Sequence, residues 1–137
     1  MTIIVALNPD APPDHLYVLE VVEAASEAIR VLNLQTRDRE ALESPEDVDV
    51  VLSALATLTH RLPQLLDQLG HRLWAESGAG RLEVADGKFT GRPGLAVSVT
   101  RMSLDAAADR FRDAEGLLEA AHQITATLAP AGHEGAS

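Results

Sequence analysis

Apolar positions recur at helical spacing in three long stretches of the chain. Between Pro13 and Leu34, Val18, Ala25 and Leu32 repeat every seven residues, as do Val22 and Ile29, with Val21 and Ala28 beside them. Glu20, Glu23, Glu27 and Arg30 fall on the opposite face. That period predicts an amphipathic helix with a wide apolar stripe. The preceding Asp10-Ala11-Pro12-Pro13-Asp14 supplies prolines and acids suited to a helix start.

The second stretch opens with Ser44-Pro45-Glu46-Asp47, which reads as an N-cap, a proline at the first helical position and two acids at the positive end of the dipole. Val51, Leu55, Leu58, Leu62, Leu65 and Leu69 then alternate spacings of four and three, a heptad seam widened by Leu52, Leu66 and Leu73. The helix should end near Glu76, with Gly78 as a left-handed cap. Pro63 lies inside it and predicts a kink near Thr59–Leu62 rather than a break, because the apolar period keeps phase across it. The third stretch begins at Ser103 as N-cap. Leu104, Phe111, Leu118 and Thr125 form one of its series, and Ala107, Ala114, Ala121 and Leu128 the other, with Leu117 and Ile124 alongside. Pro130 stops it, and the small, polar tail 130–137 is expected to be disordered.

A two-residue period takes over between about 80 and 100. Leu82 and Val84, then Leu95, Val97 and Val99, alternate with polar or small residues. Asp86-Gly87 and Gly91-Arg92-Pro93-Gly94 are turn signals. This predicts a small β-hairpin or meander inserted between helices two and three. Ile3–Leu7 is also strand-like. The expected fold is mainly α: an elongated antiparallel bundle of three long amphipathic helices, each ~33–45 Å, forming a single domain over 1–129 with that β insert.

Composition narrows the function classes. The 137 residues are 46% apolar, enough for one core, and contain no cysteine, which excludes disulfides, thiolate zinc sites and a cysteine nucleophile. No stretch reaches the ~20 apolar residues of a membrane helix, and the N-terminus lacks a basic flank, so a cytoplasmic location is expected. Ten arginines to one lysine, with abundant alanine, suggest a GC-rich bacterial genome. Lys and Arg number 11 against 21 Asp and Glu, a net charge of -10. That field opposes nucleic acid and anionic membrane. The one basic island is 81–101, where Arg81, Lys88, Arg92 and Arg101 outnumber Glu83 and Asp86. Phe89 is its aromatic neighbour, so a nucleic-acid regulator using this segment is the third functional reading.

Candidate chemistry is sparse. Glu119-Ala120-Ala121-His122 resembles half of the di-iron signature of ferritin-like bundles, but no second Glu-x-x-His accompanies it. Asp67 and His71 have the spacing of a helix ion pair or a surface metal pair. His15, His60 and His133 have no partner in the local sequence. Glu20-x-x-Glu23 and Glu46-x-x-Asp49 resemble the paired acidic motifs of all-α nucleotide pyrophosphohydrolases. That resemblance implies a magnesium-dependent enzyme with four acids facing one another across two antiparallel helices. Helix geometry works against it. Glu46 starts helix two and should lie opposite Leu34, roughly eleven residues or ~16 Å from Glu23.

Trp74 sits opposite the heptad seam, either covered by the inserted β segment or exposed as an anchor for a partner. The expectation is therefore a non-enzymatic helical interaction protein with no catalytic, metal or cofactor residues. The stripe of the first helix is broader than two neighbouring helices would cover. A homodimer through Leu19, Val22 and Ile29 would bury it, with Trp74 and Phe89 as further candidate contacts. A protein partner is the other use of such surfaces.

Overall fold

The computed structural model describes Thr2 and residues 4–132. The chain is mainly helical. Three helices carry it: α1 (His15–Gln35), α2 (Pro45–Gly78) and α3 (Pro93–Thr125), with a 3₁₀ turn at Arg39–Ala41. Two compact units divide it, Met1–Glu43 and Ser44–Ser137.

In the first unit, Asp14 caps α1 by accepting a hydrogen bond from the Leu16 amide at 3.1 Å. The Tyr17 hydroxyl ties the preceding segment to the helix. It donates to the Ala6 carbonyl at 2.7 Å and accepts from the Asn8 amide at 2.9 Å. Residues 4–8 thereby run alongside the first turn of α1 without regular structure, so the strand expected over Ile3–Leu7 is absent from its described part. Ile3 itself lies outside the described residues.

In the second unit, α2 starts where the sequence places it. Ser44 and Asp47 form a reciprocal capping box, with Pro45 in the first turn. The helix runs unbroken through Pro63, which is buried. Proline cannot donate to the Thr59 carbonyl one turn back, and α2 accommodates that missing bond within a continuous 34-residue helix. The C-terminus lies two residues beyond Glu76, and the left-handed residue is Gly80 (φ 71°) rather than Gly78. The Arg81 amide donates to the Glu76 carbonyl and the Gly80 amide to that of Ser77, the paired bonds of a Schellman ending.

The β insert is not formed: among the described residues there is no strand. Residues 81–92 make an irregular connection whose turns do fall at Gly87 (φ 91°) and Gly91 (φ 74°). What fails is the alternation. Leu95, Val97 and Val99 follow Pro93, whose fixed φ suits the first position of a helix, and α3 begins there, ten residues before Ser103. Five residues of alternation do not separate a strand from one and a half turns of helix.

α2 and α3 pack along their lengths as an antiparallel helical hairpin. The residues turned inward are Leu52, Ala56, Thr59, Pro63, Leu66, Gly70, Leu73 and Ser77 on α2. On α3 they are Val97, Arg101, Leu104, Ala108, Phe111, Glu115, Leu118, His122 and Thr125. Both series alternate spacings of four and three, so this is a heptad seam. It is one residue out of phase with the leucine series of α2 that the sequence suggests as the seam. The buried positions, Ala56, Thr59, Pro63, Gly70, Val97 and Ala108, carry small or medium side chains, which lets the helices approach closely. The larger leucines of Leu55, Leu58, Leu62, Leu65 and Leu69 flank the seam.

The tail expectation for 133–137, and His133 with it, lies outside the described residues.

Candidate interaction surfaces

The hairpin has two unlike flanks. In an antiparallel pair, the residue one step after each seam position turns to the same side on both helices, and the residue one step before turns to the other. The first side is polar. Gln64, Asp67, Asp105, Asp109 and Arg112 line a shallow depression there, floored by Pro63, Leu104 and Ala108. Arg112 pairs with Asp109 at 2.9 Å, and His71 Nδ1 lies 3.0 Å from the Asp67 carbonyl and 3.4 Å from its carboxylate. The second side is apolar. Leu58, Leu62 and Leu65 form a groove on α2 with Ala54, Thr57 and Arg61, and Ala107, Ala114, Leu117, Ala121 and Ile124 stand on the same side of α3. Leu58 and Leu65 are 42% and 46% exposed, and Leu69, Leu117 and Ile124 are exposed as well.

Two histidines are drawn to carboxylates on the opposite helix. His60 Nδ1 of α2 lies 2.8 Å from a Glu115 oxygen, and His122 Nδ1 of α3 lies 2.7 Å from Asp49 Oδ1. The second contact is close but off the ring nitrogen's hydrogen-bonding direction, and the nitrogen is buried with no other partner. The Thr125 hydroxyl donates to the same Asp49 oxygen at 2.6 Å. Both pairs tie the hairpin at separate levels. The sequence gives no local sign of them, since the partners lie on different helices. Their one available signal is that Glu115 and His122 share the heptad phase of Leu104, Phe111 and Leu118.

Asp49, one of the acids in the pyrophosphohydrolase-like pair, is thus engaged inside the hairpin. Glu46 stands exposed in the first turn of α2. No group of three or more His, Cys, Asp or Glu side chains that could hold a metal occurs among the described residues. Glu119, half of the ferritin-like pair, is exposed, while its companion His122 turns to Asp49.

Of the five candidate contact residues, Leu19, Val22 and Ile29 are 55%, 54% and 39% exposed on α1. Trp74 is half-exposed at 53%, and with no β insert to cover it, its ring is met by the Arg101 guanidinium at 5.3 Å, a cation–π contact. Phe89 is half-buried in the connection, with the Lys88 ammonium 5.2 Å from its ring centre.

The basic island is occupied by internal contacts. Arg81 bonds Glu76 at 2.7 Å, Arg92 donates to the Lys88 carbonyl at 2.6 Å, and Arg101 covers Trp74. Arg81 holds the Glu76 carboxyl below its ordinary pKa, chiefly through that hydrogen bond, with Arg72 adding charge attraction. On α1, the bond from Arg30 does the same for Glu27.

No described helix is long and apolar enough to cross a membrane. In comparisons with known proteins the chain matches no family model, no curated sequence and no solved structure.

Proposed function

We propose that the protein is a non-enzymatic, cytoplasmic helical interaction module that works through apolar helix faces, self-associating or gripping a protein partner. One observation carries this reading: long helices whose apolar stripes remain exposed. A two-helix hairpin has no interior in which a large side chain can be enclosed, and in α1 no residue is buried. Leaving a Val, Ile or Leu side chain wet forfeits about 1.5–3 kcal/mol. A two-fold contact recovers this by using one patch twice. The proposed homodimer uses the α1 stripe at Leu19, Val22 and Ile29, with Trp74 and Phe89 as candidate contacts for a partner.

Light scattering at micromolar concentration tests it. A dimer dissociated by Val22→Glu, with helicity retained by circular dichroism, is the expected result. A 14.6 kDa monomer at all concentrations removes the dimer.

The metal-dependent phosphohydrolase remains the second reading, on the two acidic pairs alone. A micromolar magnesium site lost in Glu20→Ala or Glu46→Ala would promote it. The nucleic-acid reading has less support, because the cations of the island already meet Glu76, Trp74 and the backbone.

A further inference from the structure

The apolar flank of the hairpin has a charge pattern of its own. Arg61 borders the groove of Leu58, Leu62 and Leu65 on α2. Arg110 precedes the seam residue Phe111, which puts it on the same flank of α3, in line with Ala107, Ala114 and Leu117. The pairing of His60 with Glu115 fixes the antiparallel register, and it sets Arg61 and Arg110 within about one helical turn of each other along the hairpin. Both are exposed, and neither makes an ion pair among the described residues. This is unusual in the hairpin. Arg72 and Arg81 share Glu76, Arg112 has Asp109, Arg101 has Trp74, and Arg92 has a carbonyl. In a chain with 21 acids, the two arginines left unpaired on α2 and α3 are those at the waist of the leucine flank.

We propose that this flank receives an amphipathic helix of a partner protein, one carrying acidic residues beside its apolar stripe. The inference rests on the interaction-module reading and assigns it a surface and a partner chemistry. Leu58, Leu62 and Leu65 take apolar side chains at i, i+3/i+4 and i+7, the helix-in-groove mode. Arg61 and Arg110 bond the flanking carboxylates and set the register. Two like charges at the waist make a second copy of the hairpin a poor occupant, since a two-fold axis there would bring four arginines together.

The test uses the full chain and two fluorescently labelled 18-residue probe peptides. Both carry the same leucine stripe, one flanked by Glu and the other by Lys. Anisotropy titration should show the Glu peptide binding at least tenfold tighter than the Lys peptide, with the gap narrowing at 0.5 M salt. Arg61→Glu with Arg110→Glu should reverse the order, and Leu65→Glu should remove binding of both while helicity is retained. Equal binding of the two peptides to the unmodified chain overturns the proposal, and so does binding of neither; both outcomes hold whatever the variants do. A dimer dissolved by Leu65→Glu that neither peptide disrupts would make a second copy the occupant and also overturn it. Dissociation by Val22→Glu reads the α1 dimer separately, so the two ideas fail independently.

Discussion

His122 of α3 and Asp49 of α2 meet at 2.7 Å, and the same carboxylate oxygen accepts a 2.6 Å hydrogen bond from Thr125. Asp49 therefore accepts the Thr125 hydroxyl and sets its charge against the buried His122 ring nitrogen near the start of α2. Asp49→Ala should destabilise the hairpin by about 1–3 kcal/mol, because the Thr125 hydroxyl loses its nearer acceptor and the half-buried His122 ring loses the carboxylate beside it. Asp49→Asn keeps an acceptor for Thr125 and should cost less. Urea denaturation of both variants is the measurement, and equal losses would show that the retained acceptor does nothing and that the carboxylate charge carries the effect.

The seam makes a sharper prediction, since it separates adjacent leucines. Leu66 and Leu104 turn inward, whereas Leu58 and Leu65 stand on the flank. Leu66→Ala and Leu104→Ala should each cost about 2–3 kcal/mol, near the low end for buried leucines because both keep some exposure. Leu58→Ala and Leu65→Ala should each cost less than about 1 kcal/mol when measured on dilute protein. The reverse ranking would restore the leucine series Val51 to Leu69 as the seam.

That phase shift shows what the sequence could convey. The helix starts at Asp14 and Ser44 are local chemistry, a short side chain accepting from a nearby amide, and they are legible in a few residues. The three amphipathic segments are equally plain. The choice between two stripes 100° apart on α2 is not local. The richer stripe, Leu55 to Leu69, attracts attention, yet close helix packing selects the one with Ala56, Thr59, Pro63 and Gly70. The β insert fails for a related reason: Val97 reads as one of three alternating residues until α3 is known to start at Pro93, where it becomes the first buried seam position. The surfaces proposed for binding were legible in part. Leu19, Val22 and Ile29 stand out as surplus in α1, whereas the flank around Arg61 and Arg110 becomes visible only once the seam is placed.

Gly70 is buried inside α2 opposite α3. A Cβ built there would lie 3.5 Å from both Arg101 Cγ and Leu104 Cδ1, ordinary contact distances. Glycine in a helix interior costs roughly 0.5–1 kcal/mol relative to alanine. Gly70→Ala should therefore stabilise the hairpin by a similar amount, a rise of a few degrees in Tm. Gly70→Leu has no room at that spacing and should force the helices apart. Thermal unfolding followed by circular dichroism distinguishes the two, and a destabilising alanine would mean that the seam is tighter than the 3.5 Å approach implies.

Glu76 gathers two arginines at the other end of α2. Its carboxylate receives Arg81 at 2.7 Å and Arg72 at 2.8 Å, and the Arg81 hydrogen bond is the main reason its pKa is lowered. A carboxyl lowered on folding contributes stability that is complete above its unfolded value, about 4.3, and is lost as pH falls through the folded value. The contribution should therefore be unchanged from pH 8 to pH 6 and decline only in the acid range. Arg81→Ala should move the Glu76 titration, followed by carboxyl carbon NMR, upward toward the ordinary glutamate value, with Arg72→Ala giving a smaller shift. Arg81 is the last residue of the Schellman ending and its side chain bonds back to Glu76, so the same variant should also loosen residues 79–82, seen as faster amide exchange at Gly80 and Arg81. An unmoved Glu76 titration in Arg81→Ala would show that the pair is not formed in solution, and would free Arg81 for the basic surface that the segment 81–101 otherwise lacks.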